Sequence, residues 1–246
     1  MEQGTDVVKT AFRKSRKLGG LLARPGTWPG LKHKVAAAIE HENAVRSATI
    51  GTLVDVGANV GQFSLLVRVL HPYAQIHAFE PLTSMAARYR SLFAGDDRVT
   101  LHQMAAGEEP GEATINVSAS ADSSSLLPIT ETQDAIFPGT KRVATETIQV
   151  SRIDDVLSEP LEGPIFVKLD VQGFELAALK GMPRLLERVD RLYVEVSFIE
   201  LYEGQVLAPE MIAWLADQGF TIRGAYNPVC ASDGSAVQSD FLFARA

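Results

Sequence analysis

Four acidic side chains stand where an alternation of apolar strands and helices would place its chemistry. Asp55, Glu80 and Asp170 each fall at or next to the end of an apolar run, and Glu195 lies near the end of a fourth. When such runs are parallel strands, their carboxyl ends meet at one edge of the sheet, and ligands bind there. The sequence therefore predicts a site at that edge, with carboxylates available to bind a ligand or to orient a reacting group.

A turn rich in glycine follows the first of these strands, in the stretch LVDVGANVGQF of residues 53–63. Gly57, Asn59 and Gly61 give the pattern G-x-N-x-G, which lacks the third glycine of the dinucleotide fingerprint G-x-G-x-x-G. Glycine lets the backbone turn sharply and lets a ligand approach the N–H groups at the start of a helix. The pattern indicates a nucleotide-type ligand and counts against NAD.

The charge around this turn narrows the choice of ligand. Glu80 lies about 25 residues after Asp55, at the end of the next expected strand, where an acid can hydrogen-bond both ribose hydroxyls of an adenosine. Asp55 adds a negative charge before the turn, which suits a ligand that carries positive charge and no phosphate. S-adenosylmethionine (SAM) has an ammonium and a sulfonium group, so SAM is the expected ligand. In the alternative interpretation, Asp55 caps a turn and Glu80 is a surface acid.

The expected elements alternate along most of the chain. The apolar patterns predict strands over residues 50–56, 75–79, 99–104, 111–117, 146–150, 165–169, 192–196, 220–225 and 240–244. They predict helices over residues 35–46, 60–70, 85–93, 174–180 and 209–218, with a short helix beginning in the stretch RIDDVL. This order is typical of an α/β fold with a mostly parallel sheet covered on both faces. The serine-rich loop 118–125 and residues 134–142 form the insertion expected to shape a substrate pocket.

Composition limits the class of protein and of partner. The chain has 246 residues and is 46% hydrophobic, enough for one domain, which we expect at residues 35–246. Its net charge is −7, but residues 1–34 carry +6 and the remainder −13, and an acidic body is a poor partner for nucleic acid. The basic segment 1–34 is expected to be a solvated or loosely packed helix, and the alternatives are a disordered tail, a helix that docks on an acidic partner and a peripheral membrane contact. The absence of a long apolar run or signal sequence, and the single cysteine, predict a cytoplasmic protein with no transmembrane segment.

Five stretches of the sequence, taken together, resemble one known family. VDVGANVGQF, AFEP, SSSLLP, VKLDVQGFELAALKG and DFLFAR occur in consistent order over residues 35–246, and they are similar to the FkbM family of SAM-dependent methyltransferases. The resemblance implies the class I methyltransferase fold, a Rossmann-like sheet of seven strands with helices on both faces and the last strand antiparallel. It also implies O-methylation of a small molecule or glycan, often at a sugar hydroxyl.

The resemblance assigns expected roles to particular positions. The residues matched to cofactor binding are Asp55, Gly57, Ala58, Asn59, Gly61 and Phe63 in the SAM loop, Glu80 and Pro81 at the ribose, Ala105 and Ala106 near the adenine, and Asp170. Where the family often has Asp-x-Glu-Gly, this chain has Asp170-Val171-Gln172-Gly173, so Gln172 is not an essential acid here.

Methyl transfer to a hydroxyl requires alignment of the reacting atoms and removal of the hydroxyl proton. Asp170 is the first choice, either as the base or as the group that orients the acceptor hydroxyl. His41 and Glu195 are the further candidates for catalysis. Asp170 and Glu195 are also candidates to bind a divalent metal such as magnesium, but a metal is not favoured because two carboxylates do not make a complete site.

Three other classes of function compete with an O-methyltransferase. An NAD-dependent oxidoreductase of Rossmann type would show a full glycine fingerprint and a Tyr-x-x-x-Lys pair, and neither is in place. A nucleic-acid amino-methyltransferase typically has two prolines and an aromatic residue after the fourth strand, where this chain has LDVQG. A non-catalytic protein with a SAM-type fold is the third alternative, and the presence of both Glu80 and Asp170 disfavours it.

Overall fold

The main sheet of the computed structural model, which describes Leu21 and residues 24–245, has seven strands. Their order across the sheet is β3-β2-β1-β7-β8-β10-β9. Their bounds are β1 Thr52–Val56, β2 Gln75–Phe79, β3 Val99–His102, β7 Ile165–Leu169, β8 Val189–Ser197, β9 Phe220–Cys230 and β10 Ala236–Arg245. Strand β10 runs antiparallel to both of its neighbours, while the pairs among β1, β2, β3, β7 and β8 are parallel. The predicted fold class is confirmed.

A second, smaller sheet lies between β3 and β7 in the sequence. Its strands are β4 Ala105–Ala106, β5 Gly111–Ser118 and β6 Arg142–Ser151, in the order β4-β6-β5. Strands β5 and β6 pair antiparallel, and Ile115 and Ile148 from these strands are buried in a small apolar cluster with Leu82. The serine-rich loop connects β5 to β6. The two segments of the expected insertion therefore lie in the connection between two strands of a packed unit.

Nine α-helices occur in the part of the chain that the structure describes. Their bounds are α1 Trp28–Lys32, α2 Glu42–Arg46, α3 Gln62–Leu70, α4 Thr83–Leu92, α5 Glu131–Ile136, α6 Ile153–Val156, α7 Glu175–Lys180, α8 Pro183–Leu186 and α9 Ala208–Asp217. Helices α1, α5 and α8 were not expected from the sequence. Each has six residues or fewer, too few to show a helical period.

The continuous helix expected over residues 35–46 is wrong. The chain forms a 3₁₀ turn, Ile39–His41, followed by α2, and residues 35–38 are irregular. The backbone N–H of Ala38 donates to the carbonyl oxygen of Gln62, at 3.1 Å, so it takes a tertiary partner in place of a helical one. This contact fixes the segment that carries His41 against the start of α3.

Strands β1 and β7 form the centre of the sheet, and all five residues of each are buried. Helices cover both faces, and two large apolar clusters lie on the two sides of these strands. Full burial of a Val, Leu, Ile or Phe side chain contributes about 1.5–3 kcal/mol. Val56 at the end of β1 pairs with Phe79 of β2 and Leu169 of β7. The residues after these three strands, including Glu80 and Asp170, therefore meet at one edge.

The described residues before position 35 pack on the body of the protein. Leu21 is buried in the apolar cluster on one face of the sheet, and a Cβ added to Gly30 would lie 2.4 Å from the side chain of Leu65. The rest of the basic segment, residues 1–20, 22 and 23, lies outside the described residues, and the predictions made for it lie outside them too. Among the described helices, none has the length and apolar character needed to cross a membrane.

Candidate active site

A cavity of about 320 Å³ opens at the carboxyl edge of the sheet. Its walls come from the loops after β1, β2 and β7, from β4, from the serine-rich loop and from the segment that carries His41. Volumes of this size are typical of small-molecule sites. The cavity is therefore the candidate site that the topology predicts.

The loop after β1, residues 57–61, is held mainly by its backbone. The N–H groups of Gly57 and Ala58 both donate to the carbonyl oxygen of Phe79 at 3.0 Å, and Gly61 donates to Ala58 at 2.8 Å. Gly57 has φ +77°, and an added Cβ would lie 1.9 Å from the carbonyl oxygen of Asp170. Only glycine fits this contact, so the loop after β1 touches the loop after β7 backbone to backbone.

Glu80 is held rigidly beside this loop. The side chain is 6% exposed, and its two oxygens accept from the N–H groups of Asn59 at 2.9 Å and of Leu82 at 2.8 Å. Burial raises the pKa of Glu80 to about 7, against the lowering effect of these two N–H bonds and of Lys168. Each oxygen keeps a further lone pair, so the carboxylate retains the capacity to accept two hydroxyl donors.

Asp55 lies beneath the cavity and does not line it. It is fully buried, its Oδ2 accepts from the hydroxyl of Ser64 at 2.6 Å, and its Oδ1 lies 3.6 Å from the Lys168 ammonium. Oδ1 has no hydrogen-bond partner among the described residues. Asp55 is thus placed to balance the buried charge of Lys168. It does not reach the cavity, where the sequence had suggested a contact with the ligand.

Lys168 is the site residue that the sequence interpretation left without a role. It interrupts the apolar run of β7, is 7% exposed, and donates to the carbonyl oxygen of Gly57 at 3.0 Å. Its ammonium also lies 3.5 Å from Asp170 Oδ2. Burial lowers the pKa of Lys168, but the charges of Asp170 and Asp55 outweigh burial and raise it. The sequence did contain a signal for this role, since Lys168 is the one charged residue within an otherwise apolar strand.

The loop after β7, residues 170–174, is held by side chains. Asp170 lines the cavity, its side chain is 36% exposed, and its Oδ1 accepts from Gln172 Nε2 at 2.6 Å. Gln172 has φ +56°, an uncommon conformation for a residue with a side chain, and the hydroxyl of Tyr202 donates to its Oε1 at 2.5 Å. The amide of Gln172 therefore fixes the carboxylate of Asp170, and Tyr202 fixes the amide.

Glu195 lies behind Gln172 and does not line the cavity. Its oxygens accept from Gln172 Nε2 at 3.1 Å and from Gln238 Nε2 at 2.7 Å. Burial, and then the negative charges of Asp170 and Asp240, raise the pKa of Glu195. The amide nitrogen of Gln172 thus stands between the two carboxylates that the sequence offered as metal ligands. In the described part of the chain, no three His, Cys, Asp or Glu residues are arranged to hold a metal ion.

Glu175 supports the same loop from below. The side chain is 5% exposed, and its Oε1 accepts from the N–H groups of Val171 at 2.9 Å and Gly173 at 3.1 Å. Burial raises its pKa to about 7, against the effect of hydrogen bonds from its own N–H, Val171 and Gly173. Its role is to close the turn that presents Asp170.

His41 lines the cavity together with residues of the serine-rich loop. Its ring meets Phe63 edge-on, with centroids 5.6 Å apart, and Nδ1 lies 3.0 Å from the hydroxyl of Tyr193. The serine-rich loop contributes Asp122, Ser124 and others to the wall, and none of residues 134–142 lines it. The Ser125 hydroxyl donates to the carbonyl oxygen of Gln172 at 2.6 Å, which ties this loop to the loop after β7.

The structure brings most of the predicted site residues together. Those that line the cavity are His41, Gly57, Ala58, Asn59, Phe63, Glu80, Pro81, Ala105, Ala106 and Asp170. Asp55, Gly61 and Glu195 lie outside its wall and act on residues that form it. Tyr202, Tyr193, Asn227 and Asp240 were missed, and no spacing in the sequence links them to the glycine turn.

The residues of the cavity fit SAM. Glu80 offers a fixed carboxylate for ribose hydroxyls, and the buried Ala105 and Ala106 form a wall without bulky side chains. The charge of Lys168 is balanced by Asp55 and Asp170, so among the described residues that line the cavity no lysine or arginine is left to bind a phosphate. A pocket with acidic side chains and no unbalanced cation suits a ligand that carries ammonium and sulfonium groups and no phosphate.

Comparison with known proteins agrees with this geometry. Residues 55–222, more than half of the chain, match the model of the Methyltransferase FkbM domain family. The matched range begins at Asp55 and includes the loops after β1 and β7.

Three curated relatives are similar over most of the chain. The 2-O-methyltransferase NoeI of Sinorhizobium fredii is 29% identical over 63% of this chain and 66% of its own length. Methyltransferase sdnD of Sordaria araneosa is 29% identical over 69% of this chain and 73% of its own length. The 31-O-demethyl-FK506 methyltransferase FkbM of Streptomyces tacrolimicus is 27% identical over 72% of this chain and 75% of its own length. The matched part of the chain thus spans two thirds to three quarters of these relatives.

Proposed function

The chain belongs to the FkbM family of SAM-dependent methyltransferases, and from this premise we propose that it methylates a hydroxyl oxygen of a sugar-containing small molecule or glycan. The predicted family, the predicted enzyme class and SAM as the methyl donor are thereby confirmed. The alternative of an NAD-dependent oxidoreductase is set aside with them. What we propose beyond this is that the acceptor atom is an oxygen and that the acceptor contains a sugar.

The observation that carries the proposal is one cavity shared by two differently built loops. Glu80 and the backbone turn at Gly57 form one side, where they hold the ribose and the methionine part of SAM. Asp170, fixed by Gln172 and Lys168, forms the other side. When bound, SAM supplies an electrophilic methyl group on a sulfonium. The role of the chain is to hold the acceptor oxygen in line with that methyl group and to exclude water.

Asp170 suits the task of orienting an acceptor hydroxyl. Its carboxylate accepts one N–H from Gln172 and faces the ammonium of Lys168, and it is still exposed to the cavity. A carboxylate held in this way accepts a hydrogen bond from a hydroxyl and fixes the direction of the oxygen lone pairs. The same partners hold the carboxylate in one orientation toward the cavity.

The names of two relatives also support oxygen as the acceptor atom. The relative from Sinorhizobium fredii is named as a 2-O-methyltransferase, and the relative from Streptomyces tacrolimicus by a 31-O-demethyl substrate. The polar wall made by the serine-rich loop offers hydroxyl groups to a polyhydroxyl acceptor. The balanced charge of Lys168 disfavours an acceptor that carries phosphate.

A cytoplasmic location belongs to the proposal as well. It rests on the single cysteine, Cys230, which suits a reducing compartment. We also propose that the basic segment 1–34 contacts anionic membrane surfaces, through its net charge of +6. Co-sedimentation of the full chain with anionic and with neutral vesicles tests this contact, and equal binding to both would contradict it.

The experiment that tests the proposed function is a methyl-transfer assay with SAM carrying a labelled methyl group. The acceptors are neutral glycosides, the same glycosides lacking one hydroxyl, the corresponding amino sugars, and a simple phenol. We expect a labelled methyl ether on a glycoside, lost when one particular hydroxyl is removed. Transfer to the amine alone would contradict O-methylation, and transfer to the phenol alone would contradict the sugar acceptor.

A further inference from the structure

Polar side chains from three strands converge on one ring nitrogen of His41. Nδ1 lies 3.0 Å from the hydroxyl of Tyr193 on β8, 3.0 Å from Nδ2 of Asn227 on β9, and 3.4 Å from Oδ2 of Asp240 on β10. Asn227 Nδ2 also donates to Asp240 Oδ2 at 2.8 Å. Asp240 is 8% exposed, so a buried carboxylate is the centre of this cluster.

The backbone at Asn227 is shaped to reach the cluster. Asn227 has φ +48°, and the register between β9 and β10 shifts here, so that Gln238 pairs with Val229 and Asp240 with Tyr226. One extra residue on β9 is a bulge, and Pro228 in it has no N–H to lose from the ladder. Bulges next to a cavity redirect side chains, and this one turns the amide of Asn227 toward His41 and Asp240.

Asp240 sets the direction of every proton in the cluster. An ionised carboxylate only accepts hydrogen bonds, whereas the amide N–H₂ of Asn227 only donates, and the tyrosine hydroxyl does both. Burial would raise the pKa of Asp240. The hydrogen bond and charge of His41, together with the hydrogen bond from Asn227, outweigh burial and lower this pKa, so the carboxyl is ionised. Burial, then the charge of Asp240 and a hydrogen bond to it, raise the pKa of Tyr193, so Tyr193 stays a neutral donor.

This chain of donors assigns the tautomer of His41. The two N–H bonds of Asn227 are directed at Asp240 Oδ2, at 2.8 Å, and at the hydroxyl oxygen of Tyr193, at 3.4 Å. Nδ1 of His41 faces the same two oxygens, Tyr193 at 3.0 Å and the ionised Asp240 at 3.4 Å, so we assign the ring proton to Nδ1. Nε2 then has a lone pair on the side of the ring away from the cluster, and His41 lines the cavity. The contacts of the ring with Phe63 and Tyr193, with centroids 5.6 Å apart in both cases, hold this orientation.

We propose that His41 is the general base for the acceptor hydroxyl, and that Tyr193, Asn227 and Asp240 are positioning residues that hold it in the Nδ1–H tautomer. The inference rests on the proposed O-methyltransferase function. In the step, the acceptor O–H bond breaks and its proton goes to His41 Nε2. The oxygen electron pair forms the new O–C bond to the methyl carbon, and the electrons of the C–S bond stay on sulfur. The imidazolium is stabilised by the charge of Asp240 and then releases its proton to solvent.

The two halves of the task are thereby divided between two residues. Asp170 accepts an N–H from Gln172 and faces the ammonium of Lys168, which fixes its orientation and suits it to orient the acceptor hydroxyl. His41 lines the cavity and is held from behind by the cluster at Nδ1, which suits it to accept the proton of that hydroxyl.

The first test reads the tautomer directly and needs no acceptor. Long-range ¹H–¹⁵N correlation spectra of the full chain at pH 8.5 distinguish the two neutral tautomers of each histidine. The signals of His41 are identified as those absent from His41→Gln, with His33→Gln as the matched control at an exposed histidine. We expect the Nδ1–H form for His41. The Nε2–H form would overturn the proposal, because Nε2 would have no lone pair for the acceptor.

The second test separates turnover from cofactor binding. We expect His41→Gln to lower kcat by about 10²–10⁴-fold, and Asp240→Asn to lower it by about ten- to a hundredfold with a change of the His41 tautomer. Binding of S-adenosylhomocysteine, the demethylated product, should stay within about threefold of wild type in calorimetry. Asp233→Asn in the exposed β9–β10 turn is the control and should change neither quantity.

The outcomes distinguish this inference from the proposed function. If wild-type protein methylates no glycoside but His41 has the Nδ1–H form, the proposed acceptor is wrong and the base assignment stands. If glycosides are methylated and His41→Gln retains full kcat, the base assignment is wrong. Loss of S-adenosylhomocysteine binding without loss of kcat would make His41 a cofactor contact and would also overturn it. Tyr193→Phe, which keeps the ring packing, gives a milder variant should Asp240→Asn fail to fold.

Discussion

The loop after β1 is held mainly by backbone hydrogen bonds, whereas the loop after β7 is held mainly by side chains, one of which comes from a distant part of the chain. In the loop after β1, Gly57 and Ala58 bond to the carbonyl oxygen of Phe79, and Gly61 bonds back to Ala58. In the loop after β7, Gln172 reaches Asp170, and Tyr202, thirty positions away, fixes Gln172. Both loops contain a non-glycine residue with positive φ, Asn59 at +50° and Gln172 at +56°.

The difference separates two kinds of requirement. In the proposed division of the cavity, the loop after β1 would bind the cofactor, and it depends on few side chains beyond glycine and one fixed acid. The loop after β7 would bind the acceptor, through a polar network in which each member depends on another. We therefore expect variants of the loop after β1 to affect folding and cofactor binding, and variants of the loop after β7 to affect turnover.

The largest effect is expected where the two loops touch. In Gly57→Ala, the added Cβ would lie 1.9 Å from the carbonyl oxygen of Asp170, at a φ of +77°. The loops must separate, and the free energy of unfolding should fall by more than about 3 kcal/mol in denaturant titrations. Gly95→Ala is the matched control, because Gly95 has φ +85° and no atom within 4 Å of the added Cβ. It should cost only about 1 kcal/mol, and equal costs would contradict the steric account.

Asp170→Asn should act on turnover and leave cofactor binding intact. The neutral amide no longer pairs with Lys168 and orients the acceptor hydroxyl less well, so we expect kcat to fall about a hundredfold. The affinity for S-adenosylhomocysteine, measured by calorimetry, should change less than about threefold. Asp155→Asn, an exposed aspartate outside the cavity, is the control. Unchanged turnover in Asp170→Asn would remove Asp170 from the mechanism.

Glu80→Gln should give the opposite pattern. One oxygen of Glu80 becomes an N–H₂ group that faces a backbone N–H of Asn59 or Leu82, and a charged acceptor for the ribose is lost. We expect the affinity for S-adenosylhomocysteine to fall about ten- to a hundredfold, as for loss of a hydrogen bond to a charged group. Glu146→Gln is the matched control, because Glu146 is half-buried and also accepts a backbone N–H, from Thr83 at the start of α4, but lies outside the cavity.

The same variant has a pH signature. Burial raises the pKa of Glu80 from 4.5 to about 7, so between these values the folded protein binds more protons at this site than the unfolded chain. Its contribution to the free energy of unfolding therefore falls as the pH rises from about 4.5 to 7. The stability of wild type relative to Glu80→Gln should fall by on the order of 2 kcal/mol across this range. A flat difference would show that Glu80 ionises normally.

Tyr202→Phe tests the outermost member of the network and has the smallest expected effect. The hydroxyl that donates to Gln172 Oε1 is lost, and the amide of Gln172 is free to rotate away from Asp170. We expect kcat to fall a few-fold and the free energy of unfolding by about 1 kcal/mol. Tyr73→Phe, at an exposed tyrosine, is the control. An effect as large as that of Asp170→Asn would mean that Tyr202 itself contacts the acceptor.

The parts of the site that depend on local contacts could be predicted from the sequence, and those that depend on long-range contacts could not. The glycine turn, Glu80 and the ends of β1, β2 and β7 were predictable, because local chemistry and strand order determine them. Asp55 has the right position in the sequence but lies beneath the cavity, bonded to Ser64 and close to Lys168. Strand ends predict which residues meet at an edge, and the depth of each side chain depends on packing.

The cluster at His41 was out of reach for a different reason. His41, Tyr193, Asn227 and Asp240 are spread over 199 positions, and the bulge that turns Asn227 inward has no local pattern other than Asn-Pro. The helix expected over residues 35–46 was wrong because its alanines have good helix propensity, while Ala38 bonds to Gln62 instead. Long-range hydrogen bonds outweighed local preference in both cases.

The most direct test of this account is calorimetric titration of S-adenosylhomocysteine into wild type, Glu80→Gln and Asp170→Asn. The account predicts a tenfold or greater loss of affinity in Glu80→Gln and a near-normal affinity in Asp170→Asn. That result would place the cofactor on the loop after β1 and leave the loop after β7 to the acceptor. Equal losses in both variants, or a loss in Asp170→Asn alone, would contradict the division of the cavity on which the proposed function depends.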